Sequence, residues 1–127
     1  MTLLEWKEII ERDEGVDVEG SWKMIQSLDE QGLLKVHEID GKCLILYGVL
    51  PEFNQELSLT EFLIYSIREH RGDVRILTKV RKFFESEAEA YGCDCIKIGA
   101  NFGYKDEAFS KILERWGYVP DIYRKEL

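Results

Sequence analysis

From Leu57 to Trp116 the chain alternates strand-like and helix-like patterning in an order that few folds use. The apolar run Leu57–Ser66 leads into His70, Arg71, Gly72 and Asp73. Ile76, Leu77, Val80, Phe83, Phe84, Ala88 and Tyr91 then mark one face at helical spacing, while Arg75, Lys79, Lys82 and Ser86 mark the other. Gly92 closes that helix in the manner of a left-handed cap. A short strand around Ile96 and Ile98 comes next. A second helix from about Asp106 carries Ala108, Phe109, Ile112, Leu113 and Trp116 inward and stops at Gly117. The tail Ile122–Lys125 is expected to add a last strand.

Upstream, Leu3, Leu4, Trp6, Ile9 and Ile10 recur at helical spacing, which predicts a helix over residues 2–13. Ser21 is the expected N-cap of a second helix bearing Trp22, Ile25 and Leu28, ended by Gly32. Leu33–Ile39 and Lys42–Leu50, joined by Asp40-Gly41, carry a strong hairpin signal, because a two-residue Asp-Gly turn supplies positive φ angles. Pro51, with no N–H to donate, ends the second strand. No linker or repeat divides the 127 residues, so one domain is expected. The fold class implied is α/β, a mixed sheet with helices on its faces.

Charge narrows the function. The net charge of −8 argues against general nucleic-acid binding, which requires a basic footprint. The segment Arg68–Lys82 nonetheless holds a local +4, so the remainder carries −12. A strand feeding a turn and a helix N-terminus, flanked by arginines, is a physical design for holding phosphate oxygens. The competing reading of Arg71, Arg75 and Lys79 is a solvated basic helix face. No apolar run is long enough to span a membrane, and the acidic residues near Met1 do not suit a signal peptide, so a cytoplasmic protein is expected. Cys43, Cys93 and Cys95 cannot all pair and read as small apolar core residues. With His37 and His70 as the only histidines, neither a metal site nor a nucleophile triad is expected.

The stretch Thr60–Gly72 resembles the fourth strand and acyl-CoA loop of the GCN5-related N-acetyltransferase (GNAT) superfamily, most like small bacteriophage-encoded members. Phe83–Cys93, Ile96–Ala100 and Leu113–Tyr118 fit the later elements of that family, and the resemblance covers about residues 33–127. It implies a single GNAT-like domain whose usual first strand is missing. It also implies acetyl-CoA as co-substrate, held by main chain at Tyr65, Ser66 and Ile67 and by the turn Arg71, Gly72, Asp73, Val74, Arg75 and Ile76. Glu61 falls where many members place a carboxylate facing the acceptor amine, which makes it the candidate base.

The departures are equally specific. The second and third glycines of the family's turn fall on Val74 and Ile76, so the acyl-CoA loop is degenerate. The family's acid tyrosine falls on Leu113, and its asparagine on Asp106. Tyr65 and Tyr104 are the tyrosines nearest to replacing that acid, though packing is the simpler role for each. The function implied is acetyl-CoA-dependent N-acetylation of an amine, on a small molecule or a protein lysine. A cationic acceptor suits the acidic surface. The alternative is a catalytically inert acetyltransferase-like binding or structural protein, phage-encoded, acting as a homodimer or against a host protein.

Overall fold

A computed structural model of the protein describes residues 1–99, 107–120 and 125–127. The elements run α1 (Leu3–Glu14), α2 (Glu19–Glu30), β1 (Lys35–Ile39), β2 (Cys43–Pro51), β3 (Leu57–Ser66), a 3-10 turn (Arg68–His70), α3 (Val74–Ala90), β4 (Cys95–Lys97) and α4 (Glu107–Arg115). The strands form one mixed sheet in the order β1-β2-β3-β4, antiparallel except for the β3–β4 pair. The mixed α/β expectation is met. The strand expected over Ile122–Lys125, and the positions of Tyr104 and Asp106, lie largely or wholly outside the described residues.

Local rules account for most boundaries. Asp40 and Gly41 take φ of +54° and +66°, which closes the β1–β2 hairpin as the Asp-Gly pair requires. Asp73 caps α3 by accepting the Arg75 N–H at 2.9 Å, and Gly92 leaves the helix at φ +66°. One boundary differs from expectation. α2 starts at Glu19 rather than after Ser21; Val18 precedes it, and the Asp17 carboxylate accepts the Glu19 N–H at 2.8 Å. The acid two residues upstream gives the first turn its acceptor, so Ser21 is drawn inside the helix.

Each face of the sheet buries its own apolar cluster. Trp6 and Ile10 of α1 and Trp22 and Ile25 of α2 pack on Leu44, Leu46 and Tyr65. On the other face, Ile76, Val80, Phe84 and Ala88 of α3 join Phe109 and Leu113 of α4 over Ile45, Tyr47, Leu59 and Ile64. Cys43 is fully buried there, whereas Cys93 and Cys95 are half-buried, with Cys93 against the same cluster.

Two irregularities in β3 shape the sheet around Glu61. Leu46 pairs with Leu63 but Tyr47 pairs with Glu61, so Phe62 is an extra residue, a β-bulge. The parallel ladder to β4 is short. Asp94 and Leu57 fasten its start, the Asp94 N–H reaching the Leu57 carbonyl at 2.7 Å and the Leu57 N–H reaching the Asp94 carboxylate at 2.8 Å. The pairing ends at Thr60 opposite Lys97. Beyond that point no described strand pairs with the β4 side of β3.

Candidate functional site

Glu61 lies one residue past the end of the β3–β4 pairing. Strict alternation from Ile64 would turn Glu61 toward α1 and α2, but the extra residue at Phe62 reverses the parity. Glu61 therefore sits opposite Tyr47, on the face covered by α3 and α4. Its Oε1 accepts the main-chain N–H of Gly99 at 3.0 Å. Where β4 ends, this carboxylate takes the place of a strand carbonyl as acceptor. Its Oε2 is buried and, among the described residues, has no hydrogen-bond partner. Burial pushes the Glu61 carboxyl up to about 7, and the Gly99 N–H offsets part of that rise. A half-satisfied buried carboxylate that titrates near neutrality is a proton acceptor awaiting a donor.

The cross-strand partner of Glu61, Tyr47, carries a polar contact of its own. The Tyr47 hydroxyl donates to Glu87 of α3 at 2.8 Å, and burial raises its pKa. Leu113, where the resemblance places an acid tyrosine, is buried beside Phe109 in the α3/α4 cluster and has no proton to give. A Cβ added at Gly99 would stand 3.3 Å from Glu61 Oε1, tight enough that the carboxylate would have to give way by a few tenths of an ångström.

The remaining candidates from the sequence do not converge on Glu61. Tyr65 points to the opposite face, where its hydroxyl donates to Glu14 at 2.9 Å. Ser66 ends β3, and its carbonyl accepts the Arg71 Nε–H at 3.2 Å. The Ile67 N–H is bonded to the Lys42 carbonyl at 2.9 Å. Arg71 forms an ion pair with Glu14 and lies over the Tyr65 ring, 5.2 Å from its centre. Gly72 supplies the positive φ, +82°, that the turn needs. Asp73 caps α3 and also pairs with the Arg75 guanidinium at 3.4 Å. Val74 points outward, 71% exposed, while Ile76 is buried in the core beneath α3.

Two parts of this arrangement have no signal in residue order. Asp13 and Glu14, at the end of α1, grip the turn: Asp13 accepts the Arg68 N–H at 3.1 Å, and Glu14 binds Tyr65 and Arg71. Burial alone would raise the Glu14 carboxyl, but hydrogen bonds from Arg71 and Tyr65 outweigh it and hold the group below its ordinary range. The other part is the Gly99 N–H. Main-chain donors leave no trace in residue identity, and the acids of α1 are fifty-odd residues from their partners in sequence. An open depression of about 440 Å³, lined by Arg12, Asp13, Ile67, Arg68 and Glu69, lies on the α1 side of the turn. Glu61 faces away from α1, so the buried carboxylate is the better guide to chemistry than this hollow.

No protein-family model matches the chain, and no curated protein matches it in sequence. Its structure does have a counterpart, the apo crystal structure of an aminoglycoside antibiotic 6'-N-acetyltransferase from Acinetobacter haemolyticus. The two superpose with a TM-score of 0.62 over 100% of this chain and 95% of that one, at 14% sequence identity. The likeness establishes the fold as GNAT-like.

Proposed function

We propose that residues 1–127 form one GNAT-like domain that transfers an acyl group from a coenzyme A thioester to the amine of a cationic acceptor. The observation that carries this reading is Glu61: a carboxylate with one oxygen held by Gly99 and the other buried and unpartnered among the described residues, just past the last β3–β4 pair. From Glu61 to Ser66 the edge of β3 has no partner strand among the described residues, and its main-chain groups would suit the amide-bearing arm of the thioester. An acceptor ammonium gives one proton to Glu61 Oε2, and its nitrogen forms the new bond to the acyl carbon as the carbon–sulfur bond breaks. The second nitrogen proton and the departing thiolate are reconciled through solvent. Catalysis then rests chiefly on holding the two reactants together.

A cationic acceptor suits the chain's net charge of −8. The structural counterpart is named for an aminoglycoside, a polycationic acceptor of this kind. Leu113 favours a second reading, in which the fold is retained for binding and transfer is absent.

Thiol release from acetyl-CoA, measured with a polyamine, an aminoglycoside and a lysine peptide, separates the two. Transfer to one of them, reduced by roughly 10²–10⁴ in Glu61→Gln, is the expected result for a general base. Binding of acetyl-CoA with no thiol released for any amine supports the second reading. A Glu61→Gln rate equal to wild type removes Glu61 from the chemistry.

A further inference from the structure

Two carboxylates, Asp13 and Glu14, end α1, and the last turn of a helix is an unfavourable place for them. The helix dipole is negative there, so acids weaken the helix unless their charge is met elsewhere. Both are partly buried, and both reach more than fifty residues forward to the turn that follows β3. Asp13 accepts the Arg68 N–H at 3.1 Å. Glu14 pairs with the Arg71 guanidinium and accepts the Tyr65 hydroxyl at 2.9 Å.

Attachment of α1 to the sheet does not need these bonds, because Trp6 and Ile10 already bury the helix against Leu44, Leu46 and Tyr65. What the two acids add is a fixed path for residues 65–71. Arg71 is held at three points: by Glu14 at its guanidinium, by the Ser66 carbonyl at its Nε–H, 3.2 Å away, and by the Tyr65 ring, 5.2 Å from its centre. Tyr65 is itself 1% exposed, so this platform cannot shift without disturbing the core. Gly72, at φ +82°, and Asp73, the cap of α3, follow directly. The end of α1 thus helps to set how the chain enters α3. With that it sets the direction of the first-turn N–H groups of Val74 and Ile76, a class of donor that has no acceptor within its own helix.

We infer that Asp13 and Glu14 are positioning residues for the acyl donor, holding the turn after β3 in the shape that receives the phosphates of coenzyme A. The inference rests on the acyl-transfer reading. It adds to that reading two residues of α1, which lies before the stretch that resembles the family.

Calorimetric titration of the whole protein with acetyl-CoA and with S-acetyl-pantetheine, which lacks the phosphates, tests it. Glu14→Ala is expected to weaken acetyl-CoA by about tenfold or more, the scale of one charge-assisted hydrogen bond, and to leave acetyl-pantetheine unchanged. Glu14→Gln keeps an acceptor for Tyr65 and Arg71 and is expected to restore most of the lost affinity. A role in stability alone would move both donors alike. If urea unfolding shows that Glu14→Ala does not fold, Asp13→Ala carries the same test through the Arg68 N–H. Acetyl-CoA held by the folded alanine variant within about threefold of wild type, or a loss that falls equally on acetyl-pantetheine, overturns the inference while the acyl-transfer reading stands. Failure of the wild type to bind either donor at millimolar concentration overturns the two together.

Discussion

At the scale of single residues, the proposed chemistry rests on Glu61. Its folded pKa of about 7 stands above the ordinary carboxylate value of 4.5, so the folded state holds a proton that the unfolded chain releases earlier. The stability associated with that proton is fully present below pH 4.5 and is lost as pH rises through about 7. The loss is of the order of 3 kcal/mol at most, from the size of the shift. Glu61→Gln keeps an acceptor for Gly99 and carries no charge. Urea midpoints of wild type and variant should therefore diverge between about pH 5 and 8 in favour of the variant. Parallel curves would show that the carboxylate is solvated in the folded state. In activity the sign is opposite, since only the ionised form can take the amine's proton. Rates should climb through about pH 7.

Among the elements, β2 and β3 decide where that carboxylate points. The bulge at Phe62 turns its ring over Gly48, where an added Cβ would stand 2.8 Å from the Leu33 carbonyl oxygen and 3.1 Å from the ring. The carbonyl belongs to the main chain and cannot swing aside. Gly48→Ala should thus cost about 1–3 kcal/mol, the range for overpacking, measured as a fall in urea midpoint at constant slope. An unchanged midpoint would mean that the bulge is not held by this contact. α4 presents the same physics from the other side of the sheet. Leu113 is 6% exposed among Phe109 and the α3 side chains, so Leu113→Tyr should overpack the core by about 1–3 kcal/mol and leave the rate of acyl transfer unimproved. A rate gain of about tenfold or more in a folded Leu113→Tyr protein would restore the acid role to this position.

For the whole molecule, charge acts at a distance that no single contact describes. Arg71, Arg75 and Lys79 are paired with Glu14, Asp73 and Asp40, and at long range a ligand meets a molecule with a net charge of −8. A cationic acceptor should be drawn in and its KM should rise by roughly tenfold between low and physiological salt, the lower end of electrostatic steering. Steady-state kinetics with a polyamine at two ionic strengths would measure it. A KM indifferent to salt would point to a neutral acceptor.

Much of this architecture is legible in residue order because its causes are local. The Asp40-Gly41 turn, the bounds of Leu57–Ser66, the long amphipathic helix and its Gly92 stop all derive from backbone preference and apolar period. Together they place the chain among mixed α/β folds. The location of Glu61 in a strand is legible in the same way, but its environment is not. Alternation along Leu59, Glu61, Leu63 and Tyr65 would put all four on one face, and a single unpaired residue at Phe62 sends Leu59 and Glu61 to the other. A bulge arises from pairing between strands, so no periodicity within one strand reveals it. The basic cluster of the turn is visible as composition, yet which carboxylates neutralise it depends on α1 folding back across more than fifty residues. Sequence determined the elements and the kinds of groups available; only tertiary contact decided which groups are occupied and which one, Glu61, is left with a buried oxygen that no described residue satisfies.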